Sequence, residues 1–201
     1  MMLYRLTTLR FWIIIRAMKI RAMAEISLFA VLSAVGARIM IPVPFVPFTL
    51  QTLVCMLAGF ALGARKGAAS QLLYMLMGLA GIPVFTSAAG PAAIFMPSFG
   101  YIPGFVCCAW ICGALAERMR ARCGEPGWAR YFAAALLGVA ATYAVGVAYL
   151  YVILNFWIEQ GGATFFRVLS IGFLSTAGGD VVKAAVAASA AVKLSRAGFG
   201  K

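Results

Sequence analysis

The sequence contains no histidine and few acidic residues, since Asp and Glu together number five in 201 residues. Because histidine is a common zinc ligand, and the five cysteines form no CxxC pair, we predict no bound metal. Neither a GxSxG motif nor a phosphate-binding GxxxxGKS/T motif occurs. We therefore predict that the chain is not an enzyme, has no catalytic residues or resident cofactor, and does not hydrolyse ATP itself.

Charged residues are scarce as well. They make up 11% of the chain, against about 25% in soluble domains, and hydrophobic residues make up 64%, against about 45–50%. A soluble protein of this composition has too little polar surface, so lipid must cover the chain. The 17 basic residues separate apolar runs, as loop charges do in membrane proteins. We therefore predict an integral membrane protein that binds no nucleic acid.

Six apolar segments approach the length of about 20 residues that a membrane-spanning helix needs. Three prolines within residues 42–47 separate the first segment from the second, because proline cannot continue a helix. The second and third segments are short and rich in glycine. The sequence predicts an all-α protein with six transmembrane helices, at residues 24–41, 48–64, 67–83, 99–116, 131–155 and 167–192.

The orientation follows from the basic residues. Fourteen of the 17 fall in the two tails and in the loops at 65–66 and 118–130, and such residues stay on the cytoplasmic side. We predict a multi-pass inner-membrane protein with both termini in the cytoplasm. Its parts are a basic tail or interfacial helix, a six-helix membrane domain and a short basic tail, at residues 1–22, 23–193 and 194–201. A cleaved signal peptide, or a start at Met18 or Met23, is the alternative for the first residues.

The sixth predicted span carries two ionisable residues near its middle, Asp180 and Lys183. A charge at that depth costs about 2.5–3.5 kcal/mol on insertion scales, and such residues usually mark a functional site. The i, i+3 spacing places both on one helix face, where they can pair. We interpret them as a polar ligand site or an ion path, with a purely structural ion pair as the alternative.

Two loops add polar and aromatic candidates. Gln51 follows the proline-rich loop in the first turn of a helix, where its amide offers two donors and one acceptor; a helix cap is the alternative. The uncharged loop that begins at Pro83 is long enough to suggest a function. We interpret it as a lid over a cavity walled by Phe45, Phe85 and Tyr101, with irregular re-entrant structure as the alternative.

Small residues recur at helical spacing in the first two spans. Ala30 and Ala34 lie four residues apart, and Gly59 and Gly63 form a GxxxG pattern. Small residues let two helices approach closely. The pattern indicates either packing within the chain or a docking face for another membrane subunit.

These features occur together in one known family. The matching positions comprise a first-loop signature, glycine motifs in the middle of the chain and a late Asp/Lys pair. They are 42–53, Gly59, Gly63, 81–85, Gly100, Tyr101, Gly179, Asp180 and Lys183. Over about residues 23–193, the sequence resembles the BioY family, the biotin-binding S subunits of energy-coupling-factor (ECF) transporters.

The resemblance implies the S-component fold, with a biotin pocket near the outer face. It implies high-affinity binding and translocation of biotin across the inner membrane, within membrane lipid. The energy comes from partners, which are a transmembrane T subunit and two ATPase subunits. By the same resemblance, Gln51, Asp180 and Lys183 contact biotin, and Ala30 and Ala34 dock the T subunit.

The loop after Phe85 is where the family brings further polar groups to the ligand, and here it offers Thr86 and Ser87. It contains no basic residue, so the resemblance assigns no partner to the biotin carboxylate. Two alternatives stay open. One is an S subunit for another vitamin on the same fold, and the other is a non-transport membrane scaffold in which Asp180 and Lys183 are purely structural.

Overall fold

The structure, a computed structural model, describes residues 2–42, 45–86, 88–158 and 162–197, with side chains from residue 19 onward. Within these ranges the chain is almost entirely helical, as predicted, and contains one pair of short antiparallel strands. The helices are α1 (Met2–Arg38), α2 (Gln51–Leu62), α3 (Ala64–Leu79), α4 (Tyr101–Cys123), α5 (Trp128–Ile153), α6 (Phe165–Leu169) and α7 (Ser175–Arg196). The strands are β1 (Met40–Ile41) and β2 (Phe48–Thr49).

Four helical stretches among the described residues are long and apolar enough to cross a membrane. They are Lys19–Arg38, Pro97–Cys123, Trp128–Ile158 and Phe165–Arg196. Helices α2 and α3 have 12 and 16 residues, or about 18 and 24 Å at 1.5 Å per residue, against a bilayer core of about 30 Å. Helix α1 is unbroken from Met2, so the predicted basic tail and the first span lie in one helix.

Glycines allow α2 and α3 to pack closely on α4. A Cβ at Gly59 of α2 would overlap the carbonyl oxygen of Ala109, and one at Gly113 of α4 would overlap the backbone of Ala64. Close approach of backbones is a main source of helix association in membranes, where lipid removes the hydrophobic driving force. Gly59 therefore serves packing within the chain, the first of the two interpretations.

The break between α2 and α3 lies at Gly63, whose φ of +82° is a conformation that favours glycine. Side chains of α4 satisfy both helix ends at this break. The Glu117 carboxylate accepts a hydrogen bond from the Ala64 N–H (2.9 Å), and the Arg120 guanidinium donates to the Phe60 carbonyl (2.8 Å). Because unpaired helix ends are costly where water is scarce, these bonds explain how the chain tolerates a sharp break here.

Helix α1 packs on α3 with its alanine face inward. Ala30 is completely buried and Ala34 partly buried, both against a cluster that includes Tyr74 of α3. Beside them, the Ser33 hydroxyl donates a buried hydrogen bond of 3.0 Å to the side-chain oxygen of Gln71. Docking of another subunit at Ala30, as the resemblance implies, requires α1 to expose a residue that it buries here.

The loop between α3 and α4 covers the end of the bundle opposite the Gly63 break. Side chains of three helices donate hydrogen bonds to its backbone carbonyls: Arg38 to Pro83, Tyr74 to Val84 (3.2 Å) and Tyr149 to Ile94. The Phe85 ring fills the space beside Gly78, where a Cβ would overlap it. The described part of this loop is therefore an ordered cover, consistent with the predicted lid.

Candidate functional site

A cavity lies beneath the β1–β2 strands and the α3–α4 loop. It holds about 580 Å³ of space free of protein atoms, including space open to the outside. Its walls come from the segment between α1 and α2, from the α3–α4 loop and from five helices. The lining residues are Val46, Pro47, Phe48, Thr49, Gln51, Thr52, Tyr74, Thr86, Ser98, Tyr101, Ile102, Phe105, Thr142, Tyr143, Thr176, Asp180 and Lys183.

Asp180 and Lys183 are the charged residues of the cavity. Their side chains are each 7% exposed and form an ion pair, as their i, i+3 spacing on α7 predicts. The Lys183 ammonium also donates to the Thr49 carbonyl oxygen (2.8 Å) and reaches the Thr52 hydroxyl at 3.5 Å. It lies 4.0 Å from the centroid of the Phe48 ring, a cation–π contact. These four partners offset the cost of burying the ammonium.

Helix α5 holds the other side of Asp180. The Tyr143 hydroxyl donates a hydrogen bond to Asp180 Oδ2 and lies 2.8 Å from the Thr176 hydroxyl. Asp180 Oδ1 is paired with Lys183, yet no described residue donates it a hydrogen bond of normal geometry. Because each carboxylate oxygen accepts about two hydrogen bonds, Oδ1, which is buried against Lys183, keeps acceptor capacity that the described residues do not use.

Gln51 connects the cavity to the loop that covers it. The residue is 6% exposed at the start of α2. Its side-chain amide donates to the Tyr74 hydroxyl (2.8 Å), and Tyr74 donates in turn to the Val84 carbonyl of the loop (3.2 Å). A glutamine amide has two N–H donors, and the described residues use one of them. The second is available to a ligand.

The structure brings most of the predicted ligand contacts together. Five of them line the cavity, namely Gln51, Thr86, Tyr101, Asp180 and Lys183. Phe85 instead packs edge-on against Tyr74, with ring centroids 5.5 Å apart, so it supports the wall from behind. Phe45 has a φ of +66° and is 38% exposed, and Val46 lines the cavity in its place. Phe45 lines a neighbouring pocket that shares Pro47 and Ser98 with the cavity. Contact of Phe45 and Phe85 with a ligand stays a prediction, and Ser87 lies outside the described residues.

Several hydroxyl residues line the cavity although the sequence analysis does not single them out. They include Tyr74, Thr142, Tyr143 and Thr176. A usable signal exists for Thr176, because it precedes Asp180 by one helical turn and shares its face. The other three lie in apolar runs, where the sequence does not specify which helix each side chain meets.

The cavity combines apolar walls with a few placed polar groups. Tyr101, Ile102 and Phe105 supply hydrophobic surface, while Gln51 supplies a donor and Asp180 an acceptor. The buried positive and negative charges cancel, so the site suits a small ligand with apolar parts and a neutral group that has both donors and acceptors. The described part of the chain contains no group of three or more His, Cys, Asp or Glu residues suited to a metal.

Comparisons with known proteins agree with this description. The BioY family model matches residues 10–199. The chain is 33% identical over 177 residues to the biotin transporter BioY of Thermotoga maritima, covering 88% of this chain and 96% of that protein. It is 36% identical over 148 residues to the biotin transporter BioY of Rhizobium etli, covering 71% and 74%.

A solved structure shares the fold. The crystal structure of the S-component for biotin from an ECF-type ABC transporter matches with a TM-score of 0.76, over 90% of this chain and 93% of that one, at 23% identity. Four long apolar helices among the described residues define a multi-pass membrane protein. The chain belongs to the BioY family. Its relatives are named as transporters, in agreement with the prediction that the chain is not an enzyme.

Proposed function

We propose that the chain binds biotin with high affinity and carries it across the inner membrane as the S subunit of an ECF transporter. The observation that carries the proposal is the buried Asp180–Lys183 pair beside a cavity lined by polar and aromatic side chains. Family membership and the names of the relatives support biotin as the ligand. Biotin is the cargo, and no resident cofactor takes part.

The chemistry of biotin fits the cavity. Its ureido ring has two N–H donors and one carbonyl acceptor, whereas its thiophane ring and alkyl chain are apolar. In the proposed complex Asp180 Oδ1, with its unused acceptor capacity, accepts a ureido N–H, and the second N–H of Gln51 donates to the ureido oxygen. The apolar parts contact Tyr101 and Phe105. Thr86, which lines the cavity, provides the polar contact from the loop, together with the predicted Ser87.

The proposed topology has six membrane helices and cytoplasmic termini. Helices α2 and α3 complete the four longer spans, and their break at Gly63 lies at the same end of the bundle as the C-terminal end of α4. Basic residues collect at this end, with Arg65 and Lys66 after the break and Arg118 in α4, as the cytoplasmic side requires. The cavity then lies near the outer face, where biotin is captured.

The proposed partners are one transmembrane T subunit and two ATPase subunits, which supply the energy. The shared fold supports this assembly, because the matching crystal structure is an S-component from an ECF-type transporter. Docking of the T subunit at Ala30 and Ala34 stays a prediction. It requires a movement of α1 relative to α3, since Ala30 is buried between them.

Equilibrium binding of labelled biotin to the purified protein tests the proposal, with unlabelled biotin, riboflavin and thiamine as competitors. We expect displacement by unlabelled biotin and none by the other two vitamins. Biotin at 100 times its Kd should also stabilise the fold by about 2.7 kcal/mol, because it binds only the folded state. Displacement by riboflavin or thiamine would indicate an S subunit for another vitamin. A protein that none of the three vitamins binds or stabilises would support the scaffold alternative.

A further inference from the structure

Tyr143 is fixed more firmly than a residue that merely fills the cavity wall. Its side chain is 6% exposed. Its ring meets the Tyr101 ring edge-on at 6.2 Å and the Phe173 ring edge-on at 4.8 Å between centroids. Aromatic neighbours on two sides restrict rotation of the ring, so the hydroxyl stays directed at Asp180.

The hydrogen bonds around Tyr143 run in one direction. A tyrosine hydroxyl has a single proton, and Tyr143 uses it to donate to Asp180 Oδ2. In its contact of 2.8 Å with the Thr176 hydroxyl, Tyr143 must therefore be the acceptor and Thr176 the donor. In this donor chain, Thr176 donates to Tyr143 and Tyr143 donates to Asp180. Tyr143 of α5 therefore bridges two residues of α7.

We propose that Tyr143, held by Thr176, is a positioning residue that occupies Asp180 Oδ2 and thereby reserves Oδ1 for an N–H of the ligand. The inference rests on the proposed function, since it names how that site is organised. The terminal torsion of an aspartate is broad and roughly two-fold, so an unheld carboxylate would turn in the cavity. Tyr143 on one oxygen and Lys183 beside the other fix both its angle and the role of each oxygen.

The first measurement is biotin affinity of Tyr143→Phe, which keeps the ring and removes the hydroxyl. A hydrogen bond to a charged group contributes enough to predict a loss of about 10-fold or more. Tyr131→Phe is the matched control. Tyr131 is fully buried on the same helix, about 18 Å along α5 from Tyr143. Its substitution by Phe also removes a hydrogen bond, the one of 3.3 Å that the Arg120 side chain donates to the Tyr131 hydroxyl. It should change affinity by less than about two-fold, whereas an equal loss in both variants would overturn the proposal.

A double-mutant cycle separates positioning from direct contact with biotin. In a background of Asp180→Ala with Lys183→Met, no carboxylate remains to be positioned and neither charge is left unpaired. Adding Tyr143→Phe there should change biotin affinity by less than about two-fold, because the effect acts through Asp180. A loss as large as in the original protein would show that Tyr143 contacts biotin itself and would overturn the positioning role.

A second cycle avoids the charged pair. Thr176→Val should weaken biotin binding by a few-fold in the original protein, through the loss of one neutral hydrogen bond, and should have no effect in the Tyr143→Phe protein. Independent, additive losses would contradict the donor chain. If the original protein binds no biotin, the proposed function fails together with this inference. If it binds biotin but neither cycle shows coupling, only the inference fails.

Discussion

The Asp180–Lys183 pair permits the sharpest prediction, because the two side chains have different numbers of other partners to stabilise their charges. After Asp180→Asn, the ammonium keeps the Thr49 carbonyl, the Thr52 hydroxyl and the Phe48 ring. After Lys183→Met, the carboxylate keeps only the Tyr143 hydroxyl among its described hydrogen bonds. We therefore expect Lys183→Met to be the more destabilising single change.

The magnitude follows from the burial of both side chains, which are 7% exposed. Removing one partner of a buried ion pair costs about 3–5 kcal/mol, or a fall in Tm on the order of 10 °C for a chain of this size. The double variant Asp180→Asn with Lys183→Met should recover most of this loss, because neutral groups of similar volume replace both charges. Binding should not recover: losing the charged acceptor should cost about 2–5 kcal/mol, or roughly 30-fold or more in affinity.

The assay measures Tm and biotin affinity for the original protein, both single variants and the double variant in one detergent. Recovered Tm with lost affinity is the expected pattern. A double variant that binds biotin at near-native affinity would refute the assignment of the pair as the polar anchor, and Gln51 and Thr86 would take its place. A double variant less stable than either single one would instead refute the claim that the attraction between the two charges offsets the cost of burying them.

Three further predictions concern topology and packing. Cysteine labelling in intact cells tests the topology, with all native cysteines except Cys123 replaced. A membrane-impermeant thiol reagent should label a cysteine introduced as Ala89→Cys and should not label Cys123, although both positions are exposed. Labelling of Cys123 would reverse the orientation. Gly113→Ala should lower stability by about 1–3 kcal/mol through overpacking, because its Cβ overlaps the Ala64 backbone; an unchanged Tm would contradict this contact. Ala34→Leu should reduce uptake while biotin binding to the isolated subunit persists, and equal loss of both would assign Ala34 to internal packing.

Composition and periodicity could predict much of the fold. Apolar runs predict helices in membranes because the backbone must satisfy its own hydrogen bonds there. The predicted boundaries near the prolines and between residues 64 and 67 lie within a few residues of the ends of α1 and α2. The i, i+3 spacing could likewise predict that Asp180 and Lys183 pair, since one helix decides it. The continuity of α1 from Met2 was not predictable from hydropathy, which falls where the basic residues begin.

Composition and periodicity could not predict contacts between segments that are distant in the sequence. Tyr143 meets Asp180 across 37 residues of sequence, and nothing in the apolar run around Tyr143 distinguishes it from the tyrosines that face elsewhere. Phe45 and Phe85 show how little closeness in sequence specifies. Both are aromatic and belong to the expected loops, but Phe85 packs beside Gly78 and neither ring is among the residues that line the cavity.

The same contacts that build the site also join the fold. Lys183 ties α7 to the Thr49 carbonyl in β2, Tyr143 ties α5 to α7, and the chain from Gln51 through Tyr74 ties α2 and α3 to the covering loop. Because these bonds are buried, removing one changes both stability and the geometry offered to a ligand. Single substitutions at these positions will therefore move Tm and affinity together. Only paired changes that leave no buried group unsatisfied can assign a residue to binding rather than to folding.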